Sequence, residues 1–168
     1  MKRLLLIIVF AASFGFAANA QLKFGHLDSQ AFIESLPEYT KMQKTLDDET
    51  SKIESQFTTL QEEFNKMQQE AQRNEAKMTA EEKAAKETEL QETYNKIQEF
   101  LQTSRKALEE RQRELMMPII QKTQKALQEV GDENGFIYIF EAKAGVILHN
   151  SPSSVDVAPL LKKKLSVN

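Results

Sequence analysis

Two runs of large apolar residues cross the middle of the chain at spacings of 3, 4 and 7. The first is Tyr39, Met42, Leu46, Ile53, Phe57, Leu60, Phe64 and Met67; the second is Leu90, Tyr94, Ile97, Leu101, Leu108 and Leu115. No Gly or Pro occurs from Glu38 through Met117, and Glu, Gln, Lys and Ala fill the intervening positions. Helix propensity is therefore high throughout, with no local breaker. Stripes this narrow are coiled-coil seams, too thin to bury a globular core. Each needs a partner helix.

The partner is the other stripe. Extending the first by heptads from Met67 lands on Ala71, Asn74, Met78, Glu81, Ala85, Thr88 and Glu92, whereas the second begins on Leu90 and Tyr94. The two are out of phase by two residues, or roughly 200° around a helix. One straight helix would show its apolar halves in opposite directions. Thr79 and Glu82 also have the spacing of a capping box. A helical hairpin turning near 78–80 satisfies both observations, with arms on the order of 40 residues or more and about 60–75 Å long. Between Gln68 and Glu89 the only large apolar side chain is Met78, so the tip should open more easily than the base.

Strand-like segments bracket the arms. Leu22–Leu27 alternates weakly and precedes a short helix over Ser29–Ser35; Ser35-Leu36-Pro37-Glu38 then supplies a cap and a first-turn proline. Pro118 should kink the second arm. Gly131 and Gly135 should end it before Phe136-Ile137-Tyr138-Ile139-Phe140, a run typical of a strand buried on both faces. A turn at Ala142–Gly145 and a strand Val146–His149 would complete a β-hairpin, and Ser153–Asp156 would cap a closing helix through Leu165. The expected fold is mainly α with a small β body, from which a long antiparallel helical hairpin projects. Three short strands have open edges and cannot bury the apolar run alone, so self-association should complete the sheet. The residues assigned to that oligomeric body are Phe24, Phe136, Ile137, Tyr138, Ile139, Phe140, Val146 and Leu148.

Residues 1–20 stand apart. Lys2 and Arg3 precede a fourteen-residue apolar run, Leu4–Ala17, and Ala18-Asn19-Ala20 offers an A-x-A site, so cleavage is expected between Ala20 and Gln21. The run is short for a bilayer span, which needs about 20 residues. The expectation is a signal peptide and an exported mature chain. Its parts would be a first strand and short helix over 21–37, the arm over 38–130, and a β-hairpin with closing helix over 131–168.

Composition narrows the chemistry. The 168 residues contain no Cys, which excludes disulfides and thiolate sites, and two His, His26 and His149, on different expected strands. Hydrogen-bonded structural histidines fit them better than a metal site, since no acidic cluster surrounds them. Removing Lys2 and Arg3 leaves 20 basic against 25 acidic residues, a net charge of −5. No polycationic surface for nucleic acid follows. Lys162-Lys163-Lys164 could meet an anionic membrane surface but is also well placed at a helix C-terminus. Phe57, Phe64, Phe100 and Tyr94 are assigned to the coiled-coil core, and of these Phe100, beside the stripe, is the better candidate for a surface offered to clients. No phosphate loop, nucleophile elbow or paired-carboxylate spacing stands out. Catalytic, cofactor-binding and metal-binding residues are therefore expected to be none.

The order of elements resembles the OmpH/Skp-like periplasmic chaperones. The matching parts are the exported N-terminus, KFGHLDSQAFIESLPE at 23–38, the Glu/Gln/Lys-rich hairpin, and NGFIYIFEAKAGVILHNSPSSVDVAPLLKKKL at 134–165. The resemblance implies a homotrimer with a β body and three helical tentacles around a cavity. Unfolded outer-membrane proteins would be held there in the periplasm without ATP or any cofactor. Well-known members are basic; this chain is not. From Lys66 to Glu89 five basic residues face six acidic ones, so a cationic tip or a lipopolysaccharide site is not carried over. The competing reading is an envelope coiled-coil adaptor with one defined partner.

Overall fold

A computed structural model describes residues 22–143, 147, 149 and 151–167. The expected signal peptide lies outside them, with its cleavage site at Ala20 and Gln21. So do Val146 and Leu148 of the expected second strand. In order, the elements are β1 (Lys23–Leu27), α1 (Ser29–Glu34), α2 (Pro37–Asn74), a 3-10 turn (Glu75–Lys77), α3 (Ala80–Glu133), β2 (Phe136–Glu141), β3 (Val155–Asp156) and α4 (Ala158–Leu165).

The hairpin forms as its two stripes require. α2 has 38 residues and α3 has 54, so at 1.5 Å per residue they extend about 57 and 81 Å. The reversal falls at Glu75–Thr79. Thr79 Oγ1 accepts from the Glu82 N–H (3.2 Å), and the Thr79 N–H donates to Glu82 Oε2 (2.8 Å), a complete capping box. α3 continues through Pro118. It also passes Gly131, expected to end it, and stops two residues later. Gly135, at φ +68°, supplies the left-handed residue that terminates the helix. Ser35 closes α1 instead of capping α2, its hydroxyl donating to the Phe32 carbonyl (2.7 Å). The N-cap of α2 is Leu36, with no side-chain hydrogen bond.

Three strands form a sheet among the described residues, and the turn and second strand expected after β2 lie largely outside them. The strand order is β2-β1-β3 and both pairings are parallel, so the whole helical hairpin is the crossover between β1 and β2. The third strand is Val155–Asp156, which the pattern assigns to the cap of the last helix. Two residues are too few to show a period of two. Ile147 and His149 belong to no strand. Asp156 still serves the helix, Oδ1 accepting from the Ala158 N–H at 2.9 Å.

One core joins body and arm base. Leu27, Phe32, Leu36, Met42, Ile119, Ala126, Val130, Val157 and Leu161 are buried together, with Phe136 and Ile139 packed against them. Residues from all four helices contribute to this core. The pairing of β1 with β2 slips between Lys23 and Phe24, because Lys23 faces Phe136 and Phe24 faces Tyr138. Ile137 is the extra residue of a bulge. The slip lets Phe136 and Ile139 both reach the core. It also leaves Ile137, Tyr138 and Phe140 exposed by 48, 62 and 48%. In the single chain the apolar run is thus not buried on both faces.

Candidate functional site

Two surfaces remain for function: the uncovered sheet face and the arm. On β1 the buried residues Gly25 and Leu27 alternate with Phe24 and His26, which places the latter two on the outer face. Phe24 stacks with Tyr138 (centroids 6.4 Å apart, planes 4° off parallel). Phe140 lies 6.1 Å from Phe24 and 5.8 Å from Tyr138. Tyr138 and Phe140 stay largely open to a second surface, while Phe24 is half-buried. His26 Nδ1 lies 2.9 Å from Ser154 Oγ, a structural hydrogen bond that ties the segment before β3 to the sheet. Beside it, Leu22, Lys23, Phe24, Ser151, Ser153 and Ser154 line an open cleft of about 530 Å³.

The strand edges matter as much as the face. β3 pairs with β1 only at Gly25 and His26, and among the described residues β2 pairs with nothing beyond β1. β2 thus forms one edge of the described sheet. Of the residues assigned to an oligomeric body, Phe136 and Ile139 serve the chain's own core. Phe24, Ile137, Tyr138 and Phe140 lie outside it. Lys23 holds Phe136 in place: its Nζ sits 4.3 Å from the ring centroid and donates to the Asn134 carbonyl at 3.0 Å. At the far end of β2, Glu141 accepts from the Ser29 N–H (3.1 Å) and from the Ser29 hydroxyl, fixing α1 to the strand.

Along the arm, Glu38–Lys122, Glu49–Arg111, Phe64–Tyr94, Met67–Thr93 and Glu75–Lys83 trace a single antiparallel register. One gap of seven in each stripe, Leu46 to Ile53 and Leu108 to Leu115, meets the other. Glu49 and Arg111 fill them, joined at 3.1 Å, and Arg111 also reaches Glu114 at 3.0 Å. At the base, the Lys122 ammonium hydrogen-bonded to Glu38 holds that carboxyl below its ordinary range. Lys164 binds Glu133 (2.6 Å) and Glu129 (2.9 Å), tying α4 to the end of α3; its hydrogen bond lowers the Glu129 pKa. One of the three consecutive lysines is thus committed to structure.

Phe100, assigned both to the coiled-coil core and to a surface for clients, is half-buried. Tyr94, read as seam, is 47% exposed, and Met117 is 46% exposed. Met116, Met117 and Ile120 line a shallow groove of about 360 Å³ with Glu109, Gln112 and Arg113. The i, i+4 step from Met116 to Ile120, off the line of the seam, is the sequence signal for it. Among the described residues no helix is long and apolar enough to cross a membrane. Nor do they hold a group of three or more His, Cys, Asp or Glu placed for a metal ion.

Compared with known families, the chain matches the one described as OmpH, outer membrane protein (OmpH-like), over residues 23–165. No curated protein matches it.

Proposed function

Since the chain belongs to the OmpH-like outer membrane protein family, we propose that it is a periplasmic chaperone that holds unfolded outer-membrane proteins without ATP. The observation that carries this reading is the extent of the match, which takes in both body and arm. Cleavage after Ala20 would release the mature chain, with Gln21 first. The working form is a homotrimer whose bodies cover the face of Phe24, Tyr138 and Phe140. The exposed aromatic face of one copy can pack against the next, and a head-to-tail contact of this kind closes into a ring when the rotation permits. Three arms would then flank a common space.

Holding needs many weak contacts whose joint strength comes from effective concentration. Long arms with polar surfaces and isolated apolar side chains such as Tyr94 and Met117 provide contacts of that kind. Methionine is well suited to them, because its unbranched thioether adapts to varied shapes. Partner breadth tests the proposal. Mass spectrometry of what co-purifies from the envelope should find many unfolded β-barrel chains. A single folded envelope protein would favour the adaptor reading instead.

A further inference from the structure

We propose that Met78 is a reversible oxidation site that sets how firmly the hairpin tip is closed. Met78 is the only large apolar side chain between Gln68 and Glu89. It is half-buried and lines two grooves between the arms. One, of about 230 Å³, also takes in Ala71, Lys83 and Leu90; the other, of about 300 Å³, takes in Glu70, Asn74 and Ala85. The thioether therefore packs between the arms and is still open to a small solute from both sides. Apart from this packing, the tip has the Glu75–Lys83 pair, 3.7 Å apart and largely exposed, which contributes little.

The oxidant is a hydroperoxide. A sulfur lone pair attacks the terminal peroxide oxygen, the S–O bond forms as the O–O bond breaks, and with hydrogen peroxide the other oxygen leaves as water. Sulfur loses two electrons and the peroxide gains them. The chain has no Cys to compete for the oxidant. The sulfoxide is polar and weakens apolar packing, and methionine sulfoxide reductases reverse it. Met67 also lies half-buried between the arms, its sulfur 3.9 Å from Thr93 Oγ1, but below the tip, where the Phe64–Tyr94 pair adds further packing. Met42, 3% exposed, is shielded in the base. Met117 is exposed, but every residue lining its groove belongs to α3, so its oxidation leaves the closure of the arms untouched.

The test treats the folded full chain with hydrogen peroxide and follows peptide masses and hydrogen exchange over residues 68–89. Met78 should convert well before Met42, and loss of a half-buried thioether contact should speed tip exchange about tenfold. Reductase treatment should restore slow exchange. Met78→Leu should keep the tip slow under peroxide, Met117→Leu should not protect it, and Met78→Gln should give fast exchange without oxidant. A Met78 that stays reduced while Met117 converts would overturn the proposal. So would a tip whose exchange ignores both oxidation and Met78→Gln.

Discussion

Two Gly→Ala substitutions should move stability in opposite directions. Gly25 lies at the centre of the sheet, paired on one side with Ile139 and on the other with Val155. A Cβ there would stand 2.8 Å from Val157 Cγ1, 3.1 Å from Phe136 Cε1 and 3.2 Å from Ile139 Cγ1. Carbon atoms in contact prefer about 3.5–4.0 Å. Val157 is wholly buried and β-branched, so it cannot swing aside. Overpacking of this kind costs about 1–3 kcal/mol, only partly offset by about 0.4–1 kcal/mol from the stiffer unfolded chain. At 2–4 °C per kcal/mol for a chain of this size, Gly25→Ala should lower Tm by roughly 2–8 °C. At Gly131, inside α3, the new Cβ meets only Ile139 Cδ1 at 3.7 Å, an ordinary contact. There the helical preference for Ala should add about 0.5–1 kcal/mol. Thermal unfolding followed by far-UV circular dichroism reads both, at one protein concentration because the proposed assembly would make Tm concentration-dependent. Val157→Ala should also cost less in the Gly25→Ala background than alone, the coupling expected of touching groups. A neutral or stabilising Gly25→Ala, or shifts of the same sign at both glycines, would refute this account of the core.

Tyr138→Asp places a charge on the outer sheet face without touching the chain's own core; light scattering should show that it abolishes the proposed trimer, and an unchanged trimer would place the subunit contact elsewhere. Ser166 ends α4 at φ 56°, a left-handed conformation that Gly adopts without strain, so Ser166→Gly should raise stability by about 0.5–1 kcal/mol in chemical denaturation. Glu38 and Glu129 are held below their ordinary pKa of 4.5 by Lys122 and Lys164. The stability they contribute is fully present above pH 4.5 and drains as pH falls through the lowered values. Glu38→Gln should therefore flatten the acid limb of a stability-against-pH curve, and an unchanged slope would mean that Lys122 does not matter to it.

The arm was legible because its signals repeat. The two-residue phase break between Met67 and Leu90 needs only counting, and the Thr79–Glu82 spacing marks the same place. The gaps of seven in the two stripes were visible too. That Glu49 and Arg111 fill a facing pair of them and meet across the arms follows only once the turn fixes the register. The sheet was harder to read for opposite reasons. A bulge at Ile137 breaks the alternation that would reveal which aromatics face the core, and Val155–Asp156 is too short to carry a period. Gly131 and Gly135 look alike in sequence; only the second takes a positive φ. The outer face reads as core in composition, since nothing local distinguishes burial within one chain from burial between copies.

The central claim is that this chain keeps unfolded outer-membrane proteins from aggregating. Its most direct test dilutes a urea-unfolded β-barrel protein into buffer with and without the mature chain and follows turbidity. Suppression at near-stoichiometric trimer, unchanged by ATP, is the predicted result. With a net charge of −5, it should fade only shallowly as salt is added. No suppression with several such clients, alongside tight binding to one folded envelope protein, would contradict the claim.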